Sequence, residues 1–581
     1  MKKISLMFFW VVLITLMATS CEKMENINTD PNNPQSVPSN MVFSGAQKRV
    51  MDFVYDVWFS GRQSLVYSQY WAQRNYTEED RYQIRESVNN NYFNVFYTMI
   101  NSFNRVIELN SDPKTAPDAS LFGANKNQIA AAKIMKAWMF SIITDTWGSV
   151  PYFEVGKLKD DVYFPKYDDQ AEIYKDLIKE LTEAANMIDE GKPVFTSGDM
   201  IYDGDASQWK KFANSLKCRL ALHTSKVDNK WRDYIDEALL SGVFESNDDA
   251  AAYHYSATAP EWSLFYEGTF IDMRNDFTIT RPFMDILKGV TDSLNVDDHP
   301  EKIHPWEGTV DPRLAMFTTQ RRNAYDDYGT DDSPYENIAL GAAAAGTAGV
   351  PFGTHYYIGM PYGIPTANTS TAFRNAAPNW YATPPMHLKS DFPVPIMTYA
   401  EVQFIISERN GFSAAEYAEG VEASIDYWSS VSGVPVSDAD KAAYLDEVTK
   451  TVDAEAVALQ KYIDLYMNGT EAWVEIRRTG YPDQLLKPGE LSAKPSNYRY
   501  EESDKDRKNP IFDGYTEITF TPLSVTKGLI IPRVKYPTNE STLNGASFKA
   551  AVSKLEDGTN NYYSPMFWDK RRTEGPHPAN K

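Results

Sequence analysis

Residues able to do chemistry are few in this 581-residue chain, and their spacing is poor for catalysis. There are seven histidines, and none stands in H-E-x-x-H or another close metal-ligand spacing. His299 and His304 flank a Pro-Glu-Lys turn, where surface hydrogen bonds are expected. No G-x-S-x-G nucleophile elbow occurs. "GAAAAGT" at 341–347 imitates the start of a phosphate loop, but Ala348 follows Thr347 where the motif needs its Lys-Ser/Thr pair. "AYDDYGTDDSPYEN" concentrates oxygen ligands without the spacing of a known calcium loop, so a solvated acidic loop is expected and structural calcium is unsupported. Paired carboxylates abound among 79 acids, so their presence does not argue for a glycosidase. No catalytic residue, metal site or cofactor is expected.

The two thiols, Cys21 and Cys218, stand in opposite settings. Lys2 and Lys3 precede an almost unbroken apolar run from 4 to 18, which suits a secretory h-region and is short for a membrane span. Ala18, Thr19 and Ser20 then lead into Cys21. Small residues followed at once by cysteine form a lipobox-like site, at which the thiol is acylated and becomes the new N-terminus. Ala18 stands where a Leu is usual. The alternative is ordinary secretion with an incidental cysteine. Acyl chains contribute ~0.8 kcal/mol per buried methylene, so several on Cys21 would anchor the chain firmly. Residues 21–40, rich in Asn, Pro, Asp and Ser, read as a flexible tether after a signal peptide at 1–20. Cys218 lies on a helical face with Trp209, Phe212, Ala213, Leu216 and Leu220, and is expected to be a buried, inert thiol.

Charge narrows the partners. At −22, and more acidic still without Lys2 and Lys3, the chain would be repelled by phosphate backbones, which argues against nucleic acid. The 36 Tyr and 13 Trp residues supply flat apolar faces with polar handles, suited to amphipathic ligands, although most must serve the core.

The elements that would position such residues follow from periodicity. Phe93, Phe96, Tyr97, Ile100, Phe103 and Ile107 recur at three and four residues. Met135, Trp138, Met139, Ile142 and Ile143 do the same before a stop at Gly148 and Pro151, and Ile173, Leu177, Leu181, Ala184 and Ile188 mark another helix. Helices are predicted again within 397–411, 414–428 and 454–478, the last as one continuous segment. The scaffold is therefore helical over about 41–250 and 395–485, and irregular over about 250–395 and 485–581. A loop-rich stretch that long suits a functional surface. The segment 400–428 has the helix–turn–helix length of a TPR-type unit.

Seven stretches in order carry a resemblance. They are "TDPNNPQSVP", "DTWGSVPYFE" at 145–154, "WKKFANSLKCRLA" at 209–221, "DPRL" at 311–314, "PVPIMTYAEVQFIISE" at 393–408, "EAWVEIRRTGYP" at 471–482 and "IPRVKYPTNESTLN" at 531–544. Together, behind a lipobox, they resemble the SusD/RagB family of outer-membrane lipoproteins over nearly the whole mature chain. The resemblance implies a mainly α fold with a TPR-like helix-pair scaffold, one domain over 41–581, and an irregular ligand-binding region. It implies non-enzymatic capture of a glycan or other nutrient at the cell surface, and a SusC-like TonB-dependent transporter as partner. A surface-anchored glycoside hydrolase, a peptide or other nutrient binder, and an adhesin remain as alternatives. Trp147, Pro151, Trp473 and Arg478 read as packing and turn positions. Family ligand positions have no motif to carry over. The candidates for ligand contact are Trp71, Arg74, Asn75, Tyr76, Arg81 and Tyr82 before the first long helix, and Trp262, Trp306, Tyr362 and Trp380 in the irregular middle.

Overall fold

The first helix among the described residues begins at Ser39, directly after Pro38, whose fixed φ suits the entry to a first turn. The structure, a computed structural model, describes residues 37–73, 75–274, 276–318, 359–366, 389–493 and 517–574. The signal segment, Cys21, Arg74, Trp380 and the loops at 324–337 and 341–347 lie outside them. Helix α1 (Ser39–Val54) packs along α2 (Glu86–Ser111). Phe43 meets Phe103 and Phe53 meets Phe96, so the two run antiparallel. The pairing then continues in chain order through α3 (Asn125–Trp147), α4 (Gln170–Met187), α5 (Ala206–His223) and α6 (Trp231–Ser241), each against the next. This is the predicted mainly α, TPR-like scaffold. Helix α3 ends where predicted, because Gly148 takes φ +88°. Trp147 is fully buried and donates to Asn89, and Pro151 accepts from the Tyr97 hydroxyl. Cys218 is fully buried, and burial pushes its thiol up to about 12.

The second half supplies α7 (Arg281–Lys288), α8 (Tyr399–Arg409), α9 (Ala414–Ser432), α10 (Asp438–Val448), α11 (Ala454–Asp464), α12 (Gly469–Thr479) and α13 (Gly545–Val552). The predicted single helix over 454–478 is two helices. Met467 takes φ +72°, and the Asn468 side chain turns back to accept the Glu471 N–H, starting α12 afresh. Helix α8 packs on α5, α9 and α11, which joins the halves. Across that junction Arg219 of α5 pairs with Glu401 of α8, and His223 of α5 with Glu471 of α12.

Strands among the described residues form two-stranded antiparallel ladders: β1 (Trp71–Gln73) with β5 (Phe277–Ile279), β2 (Val150–Pro151) with β3 (Tyr167–Asp168), β4 (Ala251–Tyr253) with β6 (Val394–Met397), and β7 (Leu491–Ala493) with β8 (Ile518–Thr519). The irregular middle is thus pinned to the helical block at β1–β5 and β4–β6. His304 corrects an expectation here. It is buried rather than at the surface: its Nδ1 accepts the Trp306 N–H and its Nε2 donates to the Ile286 carbonyl. Burial pushes its pKa down to about 4, so it is a neutral structural residue near pH 7.

Candidate ligand-binding surface

Four of the candidate aromatics are core residues. Trp71 in β1 is fully buried, 5.4 Å from Phe277 and 5.6 Å from Phe265, and its indole N–H donates to Tyr466. Its strand is short but covered on both faces, so alternation cannot turn the ring outward. Tyr82, at φ +66°, points inward against Tyr67 and Phe520. Tyr362 packs on the other side of the same small cluster, 5.2 Å from Phe520, and Trp306 packs on His304. Of the three aromatic candidates before the first long helix, Trp71 and Tyr82 are therefore covered and Tyr76 alone is exposed. Trp262 is half-buried, tied to Glu267 through its indole N–H. Arg81 is half-buried and donates to the Thr77 carbonyl.

Tyr76 is the candidate that stands out from the surface, 50% exposed on a residue with φ +59°. Beside it lies a ring that sequence reading passed over, Trp58, 37% exposed. Asp56 sets Trp58 by accepting its backbone N–H at 2.9 Å, together with that of Phe59. Burial pushes the Asp56 carboxyl up to about 7 despite these donors. Next in the chain, Ser60–Ser64 forms a π-helical turn carrying Arg62, and Glu267–Ile271 forms another. Such turns often mark functional positions. The second turn packs just ahead of the first: a Cβ on Gly268 would come within 2.5 Å of Val57, next to Trp58, so this position needs glycine for close approach. Arg274 follows the second turn and lies over Trp58.

The result is a surface of two exposed rings with polar neighbours. The Asn75 amide donates to Asp276 at 2.8 Å, and Arg85 pairs with Glu79 at 3.0 Å. Burial pushes Glu79 up, and Arg85 and Arg62 pull it back. In the orientation that satisfies its neighbours, the buried Gln73 amide donates to the Tyr76 carbonyl, which fixes the loop bearing that ring. A flat ring beside amide, carboxylate and guanidinium groups is suited to a ligand with an apolar face and hydroxyl edges. Trp58 and Arg62 are four residues apart around Ser60 and Gly61. That interruption of an otherwise apolar run was the signal available in sequence.

One grouping of His and carboxylates has ligand spacing among the described residues: His223, Glu471 and Glu475, all buried. Protein cations already serve it. Glu475 pairs with Arg478 and Lys461, and Glu471 with His223 and Arg219. Burial alone would raise Glu471, but the charges of His223 and Arg219 outweigh it and hold Glu471 at about 2. The cluster is an ion network that ties α5, α11 and α12 together, with Arg478 also gripping Glu408 of α8.

Comparison with known proteins agrees with this architecture. A SusD-like family model described as starch-binding, associating with the outer membrane, matches residues 31–294 and 343–501. Among solved structures, the chain superposes on a chitin-binding protein with a TM-score of 0.65 at 23% identity, covering 91% of this chain and 99% of that one. A SusD homologue from Parabacteroides distasonis gives a TM-score of 0.65 at 21% identity, covering 92% and 98%. One from Bacteroides uniformis gives 0.62 at 20%, covering 91% and 99%. At these identities the structures share the fold. No curated protein sequence matches the chain. The family match extends over most of the chain on both sides of its irregular middle, and the chain belongs to the SusD-like family.

Proposed function

We propose that this protein captures oligosaccharide at the cell surface, without turnover, and hands it to a SusC-like TonB-dependent transporter. The observation that carries this reading is the exposed pair Trp58 and Tyr76, set among hydrogen-bonding side chains on a SusD-like scaffold. One pyranose face carries C–H groups that pack on an aromatic ring, while the hydroxyl edge takes Asn75 and the exposed arginines. Affinity electrophoresis through gels containing polysaccharides tests it. Retardation is expected, with Trp58→Ala losing ~1–3 kcal/mol of binding, by analogy with base stacking on aromatics. No new reducing ends are expected on incubation. Release of reducing ends, abolished by changing one Asp or Glu, would establish the hydrolase instead.

The anchor in this reading is Cys21. No helix among the described residues is long and apolar enough to cross a membrane. The segment between Cys21 and Val37 can reach at most ~55 Å when extended, so the scaffold would stay near the outer membrane. Cys21→Ala is expected to move the protein from the membrane to the soluble fraction with an unchanged circular dichroism spectrum. Full partition of the variant with outer membranes lacking the transporter refutes the anchor.

A further inference from the structure

The two exposed rings are interleaved with guanidinium groups. Arg274 lies over Trp58 at 5.2 Å and Arg62 over the same ring at 4.7 Å; Arg62 lies over Tyr76 at 5.5 Å and Arg85 at 5.3 Å. The order in space is arginine, ring, arginine, ring, arginine. This gathers three cations on one surface of a chain whose formal charge is −22. Two carboxylates answer them. Glu79 is engaged by Arg85 and lies 3.8 Å from Arg62, and Asp276 lies 3.9 Å from Arg62.

Those two distances to Arg62 are too long for hydrogen bonds. Arg62 is only 4% exposed, yet its Nε and Nη1 have no hydrogen-bond partner among the described residues, and neither does the Asp276 Oδ2 beside it. A buried guanidinium presents five N–H donors, and leaving them unmet is costly. Neutral sugar stacking does not account for this expenditure, because a sugar's C–H face offers no charged acceptor to a guanidinium. An anionic ligand does. Its oxygens would meet the exposed Arg274 and Arg85 in charge-assisted, forked hydrogen bonds, with the Arg62 charge close behind in a poorly solvated setting.

Resting on the glycan-binding reading above, we infer that the ligand is an anionic glycan, bearing uronic acid carboxylates or sulfate esters, recognised by the Arg274–Trp58–Arg62–Tyr76–Arg85 ladder. Glu79 and Asp276, both buried, balance part of the arginine charge from behind the rings. The overall acidity of the chain makes the inference sharp, since its bulk charge repels such polymers and a local gathering of cations must overcome that repulsion.

The experiment uses matched polymers in titration calorimetry: polygalacturonate against its carboxyl-reduced form, and dextran sulfate, whose only anions are sulfate esters, against dextran. At least one anionic polymer is expected to bind roughly tenfold or more tighter than its neutral counterpart, and to weaken steeply with salt. The polymer that binds distinguishes carboxylate from sulfate. Arg274→Gln and Arg85→Gln, both at exposed positions, are expected to weaken that binding several-fold at unchanged melting temperature. Arg62→Gln should do the same, with its melting temperature recorded because the position is buried. Equal binding of charged and neutral partners, or unchanged affinity in both exposed-arginine variants, overturns the anionic assignment while leaving glycan capture standing. Binding to none of these polymers, but to amylose or chitooligosaccharide, also overturns it. Binding to no polysaccharide at all removes the glycan-capture reading itself.

Discussion

Arg219→Ala is expected to destabilise the fold by ~3–5 kcal/mol, the usual cost of leaving a buried charge without its partner. Arg219 sits on α5, 2% exposed, and its Nε donates to Glu401 of α8 at 2.6 Å. Its Nη2 also serves the Ile396 carbonyl at the start of the segment leading to α8. Glu401 is fully buried; that burial pushes its carboxyl up, and the paired Arg219 guanidinium is the largest influence pulling it back. In the variant Glu401 must take a proton or stay charged in a dry site. The sign follows from that choice. An acid whose folded pKa is raised further than in the parent binds more protons when folded, so the deficit should grow as pH rises through the parent's own folded value, which burial already lifts. Urea unfolding at pH 5 and pH 8 measures it. Arg219→Met combined with Glu401→Met should recover part of the loss, since two apolar side chains leave no unpaired charge. An unchanged midpoint, or a larger loss at pH 5 than at pH 8, defeats this account of the junction.

Much of the scaffold was legible because it obeys local rules. The residues Phe93 to Ile107 and Met135 to Ile143 carry a helical period, and Gly148 ends α3 as a left-handed glycine should. The break at Leu465–Asn468 was not legible, since apolar residues continue across it and the reset depends on the Met467 backbone and the Asn468 cap. The surface was harder still. Whether Trp71 is covered depends on Tyr466, almost four hundred residues away, and whether Tyr82 is covered depends on Phe520. No pattern within a window of fifteen residues reports such contacts. Trp58 was hidden for the opposite reason: it sits in an apolar run between α1 and β1 that reads as core, and only its turn over Asp56 brings it out.

Tyr82→Ala and Tyr76→Ala separate core from surface within one short segment. The Tyr82 ring is fully buried, edge-on to Tyr67 and Phe520, and burial pushes its phenol well above the usual tyrosine range. Removing it opens a cavity in a cluster built by three distant parts of the chain, so a loss of ~3–5 kcal/mol of stability is expected, as for other aromatic truncations in cores. The ring also keeps a residue with φ +66° in place, where alanine offers no compensating contact. Tyr76 behaves differently. Its ring is half exposed, and its neighbours are the guanidinium groups of Arg62 and Arg85 rather than core side chains. Tyr76→Ala should leave the melting temperature within about a degree or two, because the ring is half exposed, alanine meets φ +59° at no greater strain than tyrosine does, and exposed substitutions cost ~0.5 kcal/mol or less. Its effect should fall on ligand affinity, roughly ten- to a hundredfold if a stacked sugar or its bound anion depends on the ring. Thermal denaturation and glycan titration on both variants decide the matter. Stability lost on Tyr76→Ala but kept on Tyr82→Ala would invert the two roles and move the ligand-binding surface away from the Trp58–Tyr76 ladder.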